Sequence, residues 1–164
     1  MPLLSLALPS QFAGVTGQLS RLTTRVLDSG NAATSRAAVL LLAAIREELS
    51  KPGSGRVYLI PVVKRDGSLR KTKKGKTSYR RHRASAPGEP PAVNTGELRR
   101  GATMGLVGGK MRVGVTAKYG PYLDRGTPRL KPRPFMAPAL ARARPAMDDE
   151  VVAALRQEVV RGFF

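Results

Sequence analysis

The sequence predicts an α+β fold in a single domain over residues 1–164. We expect a small, mainly antiparallel sheet packed by two N-terminal helices and a C-terminal helix, with a long basic hairpin or loop. Three observations predict this class. Apolar residues recur at helical spacing over residues 33–49 and again over 151–159, and they alternate with polar residues over 111–117, directly after a glycine pair that is typical of a tight hairpin turn.

The composition limits the function. The 29 Lys and Arg residues outnumber the 11 Asp and Glu residues, which gives a formal net charge of +18. Such an excess predicts an anionic neighbour, either nucleic acid or an acidic protein surface. With no cysteine and one histidine, thiolate chemistry and zinc sites of the usual His/Cys kind are excluded, so we expect no metal and no cofactor.

No membrane or export segment is expected. The opening MPLLSLALPS is apolar but has no basic n-region, so it is not interpreted as a signal peptide. The next apolar stretch, residues 37–45, is too short to span a bilayer.

Two helices are expected at the N-terminal side. Ser10 is the predicted N-cap of the first, which carries leucine and valine at three- and four-residue spacing and should end near Asp28-Ser29-Gly30. The second begins after Asn31 and is rich in alanine and leucine. Lys51-Pro52-Gly53 should stop it.

A strand and a dense run of positive charge follow. RVYLIPVV, from Arg56, reads as a strand, and Pro61 places it at a sheet edge. Asp66-Gly67 indicates a hairpin turn. We call residues 64–85 the basic segment and expect it to form a projecting loop or hairpin. Its ten cations, with Asp66 the only acid, sum to +9: Lys64, Arg65, Arg70, Lys71, Lys73, Lys74, Lys76, Arg80, Arg81 and Arg83.

The chain then returns to the sheet. Residues 86–91, APGEPP, predict a stiff, extended connector. Asn94 is the predicted N-cap of a short helical turn, with Glu97 completing a capping box. The strands on either side of Gly108-Gly109 should form a hairpin whose apolar face packs on the alanine-rich helix as the main core.

The C-terminal part begins with a Pro/Gly-rich arm at residues 119–140. Pro138 can open a last helix, and Pro145 interrupts or restarts it. The acidic cluster at residues 148–150 is explained by helix-start electrostatics. Val151, Val152, Leu155 and Val159 form one apolar stripe on this helix.

Three stretches carry a family resemblance: SAPGEPPAVNTGELRRG at residues 85–101, KYGPYLDRGTP at 118–128 and RPFMAPAL at 133–140. In this order and spacing they closely resemble the neck or tail-completion proteins of long-tailed double-stranded DNA phages, also known as head-tail joining or virion morphogenesis proteins. The matching positions are Ala86, Pro87, Gly88, Pro90, Thr95, Gly96, Leu98, Tyr119, Tyr122, Leu123, Gly126, Thr127, Arg133, Pro134, Phe135, Pro138, Ala139 and Leu140. One departure is that Arg125, and not an acidic residue, directly precedes Gly-Thr.

The resemblance implies a virion structural protein without catalytic activity. It would be a subunit of a homo-oligomeric ring, hexameric rather than dodecameric, at the head-tail junction of a siphophage, made in the host cytoplasm. Its implied partners are a portal-side connector or stopper protein, the tail tube protein and, transiently, double-stranded DNA. The residues expected at the subunit or ring interface are Tyr119, Tyr122, Leu123, Asp124, Arg125, Arg133 and Phe135.

Alternatives stay open from the sequence. The basic segment could line a DNA channel, contact acidic residues of a neighbouring ring, or be solvated. Tyr119, Tyr122 and Phe135 fit nucleic-acid stacking less well than core or interface packing, and His82 reads as a loop residue. Residues 126–138 are either a surface loop or an arm laid on an adjacent subunit. The first rival function is a free-standing, sequence-independent nucleic-acid-binding protein. A second is an enzyme with a novel site, which would lose activity on substitution of Asp148 or Glu150.

Overall fold

The α+β class is confirmed. The computed structural model describes residues 13–163, and the side chains of residues 17–161. The predicted N-cap Ser10 and the opening MPLLSLALPS lie outside the described residues. The elements in chain order are α1 Ala13–Glu48, β1 Val57–Pro61, β2 Tyr79–Arg83, α2 Glu97–Arg100, β3 Ala102–Val107, β4 Lys110–Val115, α3 Gly120–Arg125 and α4 Met136–Phe163.

One continuous helix, α1, replaces the two predicted N-terminal helices. Gly30 and Asn31 lower helix propensity by up to about 1 kcal/mol, but propensity is a weak preference that packing overrides. Here the hydroxyls of Thr34 and Ser35 donate to the carbonyls of Gly30 and Asn31, at 2.8 and 3.0 Å, within an unbroken helix. Ser29 donates to the Ala154 carbonyl of α4, so the supposed break lies on a packed face.

The strands form two separate two-stranded sheets instead of the single predicted sheet. β1 pairs with β2 and β3 pairs with β4, both antiparallel. The predicted hairpin turn is confirmed, with positive φ angles of 58° at Gly108 and 72° at Gly109. Beyond the buried Ala102, β3 is exposed. The prediction that this hairpin forms the main core is therefore wrong.

The described chain divides into two compact units. The two-helix unit contains residues 13–37 and 146–163. Its helices run antiparallel, because Arg36 pairs with Glu150 at 2.7 Å and Arg25 with Glu158 at 3.4 Å. The acidic cluster at 148–150 therefore lies inside α4, which begins at Met136, and not at a helix start as predicted.

The main unit contains residues 38–145 and holds the larger core. Ile45 and Leu49 at the end of α1 are buried, as are Leu98 of α2, Phe135 and Ala139 near the start of α4. Three of these residues lie in helices, Leu49 lies directly beyond α1 and Phe135 directly before α4, whereas the strands contribute only Ala102 to the buried apolar residues.

A buried ion pair ties α1 to α4 within the main unit. Glu48 is an acidic residue that is only 1% exposed. Its carboxylate accepts from the Arg142 guanidinium and pairs with Lys51 at 2.7 Å. Arg142 also pairs with the exposed Glu47. A buried carboxylate is tolerated only when cations and hydrogen bonds compensate its lost hydration.

We therefore expect Arg142→Met to lower the free energy of unfolding by about 3 kcal/mol, since Lys51 would then be the only cation left beside the buried Glu48 carboxylate. Chemical denaturation monitored by circular dichroism would measure it. The control is Arg129→Met, at an exposed position with no ion pair in the described chain, which should change stability by less than about 0.5 kcal/mol. Equal losses for the two variants would contradict the assignment.

No helix in the described part of the chain is long and apolar enough to cross a membrane. Among the same residues, no group of three or more His, Asp or Glu side chains is placed to hold a metal ion.

Candidate nucleic-acid interface

The base of the basic segment is the β1–β2 pair. Its register places Leu59 opposite Arg81 and Val57 opposite Arg83. Because successive side chains of a strand point to opposite faces, these four share one face, and all are exposed. On the other face Ile60 and His82 are half-buried, whereas Tyr58 and Arg80 are exposed. The strand pair therefore presents an outer face with two arginines beside apolar side chains.

A ring of three backbone hydrogen bonds closes the middle of the basic segment. Arg70 donates to Val62 at 2.8 Å, Ser78 to Arg70 at 2.7 Å, and Val62 to Ser78 at 2.9 Å. We call this the three-way junction. It joins the strand pair to two further arms, so the predicted single projecting loop or hairpin is not confirmed.

Each of the two further arms is a tight turn. Gly67 donates to Lys64 while Lys64 donates to Ser68, and Gly75 and Thr72 repeat this pattern with Lys76. The glycines have φ of 81° and 74°. This is the three-residue hairpin loop in which glycine adopts the left-handed conformation. The predicted turn at Asp66-Gly67 is confirmed, and the turn at Gly75 is an addition.

The ten cations of the basic segment are all exposed. None forms an ion pair with an acid in the described part of the chain. Asp66, the only acid among them, is engaged locally: its carboxylate accepts from the Ser68 hydroxyl at 2.7 Å and the Ser68 amide at 2.8 Å. The hydroxyl bond, then the amide bond, hold the pKa of Asp66 below its usual value. The positive charge is thus left for an external partner.

Exposed apolar and aromatic side chains lie among these cations. Leu59 is 66% exposed and Tyr79 58% exposed. Tyr58 has the Arg56 guanidinium 5.6 Å from its ring centroid, a separation compatible with a cation–π contact. Basic side chains with aromatic and apolar neighbours suit contact with a phosphate backbone and its sugars.

The chain between the basic segment and α2 is held by a side-chain hydrogen bond from β2. Arg80 donates to the backbone carbonyl of Asn94 at 3.1 Å and to its side-chain oxygen. The predicted capping box is therefore wrong: α2 has Gly96 as its N-cap, and no side chain caps it. Asn94 instead holds the segment between the connector and α2 against Arg80 of β2.

Glu89 fixes the connector to the loop that precedes β1. Its carboxylate accepts from the Ser54 hydroxyl, and from the amides of Ser54 at 3.0 Å and Ala86 at 2.9 Å. The hydroxyl bond first, then the two amide bonds, lower the pKa of Glu89. The connector is thus hydrogen-bonded to the loop that precedes β1.

Of the seven predicted interface residues, two stabilise the fold of this chain and the other five are at least partly accessible. Tyr119, Tyr122 and Arg125 are exposed, whereas Leu123 and Arg133 are half-buried. The remaining two serve the fold of this chain: Phe135 is 0% exposed, and the Asp124 carboxylate accepts from the amides of Phe135 and Met136 at 2.9 and 3.1 Å. Asp124 thus caps the start of α4 from the short helix α3, which the sequence did not predict.

A cleft of about 370 Å³ lies within the main unit where the resembling stretches meet. Arg99, Arg133 and His82 line it with Glu97 and Tyr119. Although Tyr119 as a residue is 39% exposed, partial desolvation where it lines this cleft, and then the negative charge of Glu97, raise the pKa of its hydroxyl. His82 belongs to β2 and is half-buried, so it is not the loop residue that the sequence suggested.

A second basic surface was missed from the sequence. Arg46 of α1 lines an open concavity with Arg99 and Arg100 of α2. Arg46 donates to the Ala102 carbonyl at 3.0 Å and Arg99 to the Ser50 hydroxyl at 3.3 Å. Only the tertiary contact between α1 and α2 brings these arginines together, so no local pattern could reveal them.

These surfaces can bind anions by charge and can follow a phosphate backbone.

Comparisons with protein-family models, with curated proteins and with solved structures found no match to this chain.

Proposed function

We propose that this chain is a structural subunit of a homo-oligomeric ring at the head-tail junction of a long-tailed double-stranded DNA phage, as a neck, tail-completion or tail-terminator protein. The ring would join the portal-side connector or stopper to the tail tube and form part of the DNA channel. A hexamer is favoured. The protein would act by binding and positioning, without catalysis.

The observation that carries the proposal is the joint occurrence of the three resembling stretches, together with the way they bond to one another. Gly88 of the first donates to Pro132, which directly precedes the third, at 3.0 Å, and Arg133 of the third donates to Leu123 of the second at 2.8 Å. Asp124 of the second then caps the helix that begins in the third. Residues that must fit one another in three dimensions are a more specific signature than three unrelated short motifs.

The basic segment supports the channel part of the proposal. Its ten cations lack acidic partners within the described residues and are arranged on a strand pair and two turns. Contacts of lysine and arginine with phosphates are independent of sequence, which passage of a whole genome requires.

The same observation favours the second candidate, a free-standing, sequence-independent nucleic-acid-binding protein. The two candidates differ in assembly: a junction subunit is built into particles, whereas a free-standing binder is not. Exposed cations alone do not discriminate between them.

The test is deletion of the gene from the phage or prophage that encodes it, followed by electron microscopy of the lysate. We expect filled heads and complete tails that are not joined, and rescue by the chain supplied in trans. Cryo-electron microscopy of the intact neck, without imposed symmetry, should then place a ring of this chain between connector and tail tube.

Normal virions after deletion, or a neck without this chain, would overturn the proposal. If the chain is absent from particles but binds duplex DNA in a salt-dependent manner, the free-standing function takes its place.

A further inference from the structure

Charge is strongly segregated between the two units. All of the net charge of +18 lies in the main unit, where residues 38–145 hold 24 Lys and Arg against six Asp and Glu. The two-helix unit holds five cations and five acids, so its net charge is zero. One unit is therefore suited to a polyanion, and the other is not.

Among the described residues, the two-helix unit leaves an apolar stripe exposed. Val152, Leu155 and Val159 of α4 are 51%, 42% and 54% exposed. Their i, i+3, i+7 spacing places them on one face of the helix. A different face of α4, marked by the buried Ala154 and Glu158, points to α1, as the contacts with Ser29 and Arg25 show. The stripe that the sequence predicts is thus present but remains open.

The buried apolar residues in the two-helix unit are all small. Those of its described part are Ala33, Ala37 and Ala154. Leu27 of α1 is 62% exposed as well. Hydrophobic stabilisation scales with the apolar area removed from water, so three buried alanines contribute little. Leu22, Val26, Met147 and Val151 are only half-buried, and the stripe stays largely in contact with water. Covering the stripe would stabilise this unit considerably.

We propose that the stripe of Val152, Leu155 and Val159 packs against the two-helix unit of a second copy of this chain. The argument is electrostatic as well as hydrophobic. Main units at +18 each repel one another, and a zero-charge surface is where copies can meet with least repulsion. A strongly acidic partner would instead be drawn to the main unit. Self-association through the stripe does not depend on the phage function.

The test uses purified, nuclease-treated protein in sedimentation velocity at 0.15 and 1 M NaCl. We expect self-association at both salt concentrations, because apolar contact survives screening whereas DNA bridging does not. Leu155→Glu should weaken association at least tenfold. Gln157→Glu adds the same charge at an exposed position on another face of α4 and should leave association unchanged.

A second readout keeps the inference testable if Leu155→Glu perturbs folding. The chain has no cysteine, so a single introduced thiol is a unique reporter. In Leu155→Cys the maleimide reaction should slow as protein concentration rises, whereas in Gln157→Cys it should not.

A wild-type chain that stays monomeric at 100 µM, or that dissociates at 1 M NaCl, would overturn the inference. So would equal effects of the two glutamates, or thiols at 155 and 157 that are protected alike. A chain that self-associates through the stripe but is absent from virions would overturn the proposed function and leave this inference standing.

Discussion

Replacing Lys73, Lys74 and Lys76 together by alanine is expected to lower the affinity for random-sequence duplex DNA by roughly 100- to 1,000-fold at about 0.1 M salt. All three are exposed at or beside the Gly75 turn, and none has an acidic partner in the described chain. Each phosphate contact releases about 0.9 counterion, which corresponds to about tenfold in affinity at that salt concentration. Fluorescence anisotropy over a salt series would measure both the affinity and its slope against log salt, which should decrease by about three.

The matched control removes three exposed cations elsewhere in the main unit: Lys110, Arg112 and Lys118. The loss of net charge is identical, so a purely global charge effect would weaken binding equally in both triple variants. Equal weakening would show that the three-way junction and its turns have no special part in binding. Unchanged binding in the first variant would remove the basic segment as a DNA contact.

Phe135→Ala is expected to destabilise the main unit by about 4 kcal/mol, because it empties a fully buried aromatic site. Urea denaturation would measure the loss. Phe135→Leu keeps most of the apolar volume and should retain much of the stability.

Tyr122→Ala is the comparison that separates folding from assembly. Tyr122 is 61% exposed, so its truncation should change stability by less than about 0.5 kcal/mol. If Tyr122 lies at a subunit contact, the variant should fold normally and assemble poorly. If the Phe135→Ala chain keeps wild-type stability but assembles poorly, Phe135 lies at a subunit interface, as the resemblance predicts.

Most elements could be predicted because their signals are local. The alternation before and after Gly108-Gly109 predicts β3 and β4, and Lys51-Pro52-Gly53 lies just beyond the end of α1 at Glu48. The break predicted at Gly30 failed for a tertiary reason. Nothing near it in sequence indicates that Ser29 meets Ala154, a residue 125 positions away.

The charge and exposure of the candidate site could be predicted from the sequence, but the arrangement of its turns could be predicted only in part. Net charge is counted directly, and exposure follows because a cation without partners stays in water. The turn at Asp66-Gly67 has a strong dipeptide signature, whereas Gly75 sits in a run of lysines that hides its turn. Asn94 is a residue type that commonly caps helices, but its side-chain oxygen accepts a hydrogen bond from Arg80 and does not cap α2.

The resemblance singles out positions of the chain without giving the role of each. It predicts an interface position for Asp124 and a core or interface position for Phe135, whereas in the structure Asp124 caps α4 and Phe135 fills the core. Both roles need the fold, because they depend on which segment lies next to the start of α4.

The three-way junction has a consequence for how binding and order are linked. Residues 62–78 are closed by two tight turns at Gly67 and Gly75 and not by one long loop, and the three backbone hydrogen bonds among Val62, Arg70 and Ser78 join these turns to the strand pair. Conformational freedom is then lost during folding and not on contact with a polyanion. The backbone that carries the lysines is fixed by hydrogen bonds without a partner, so binding incurs a smaller backbone entropy penalty than a disordered basic tail of equal charge would face.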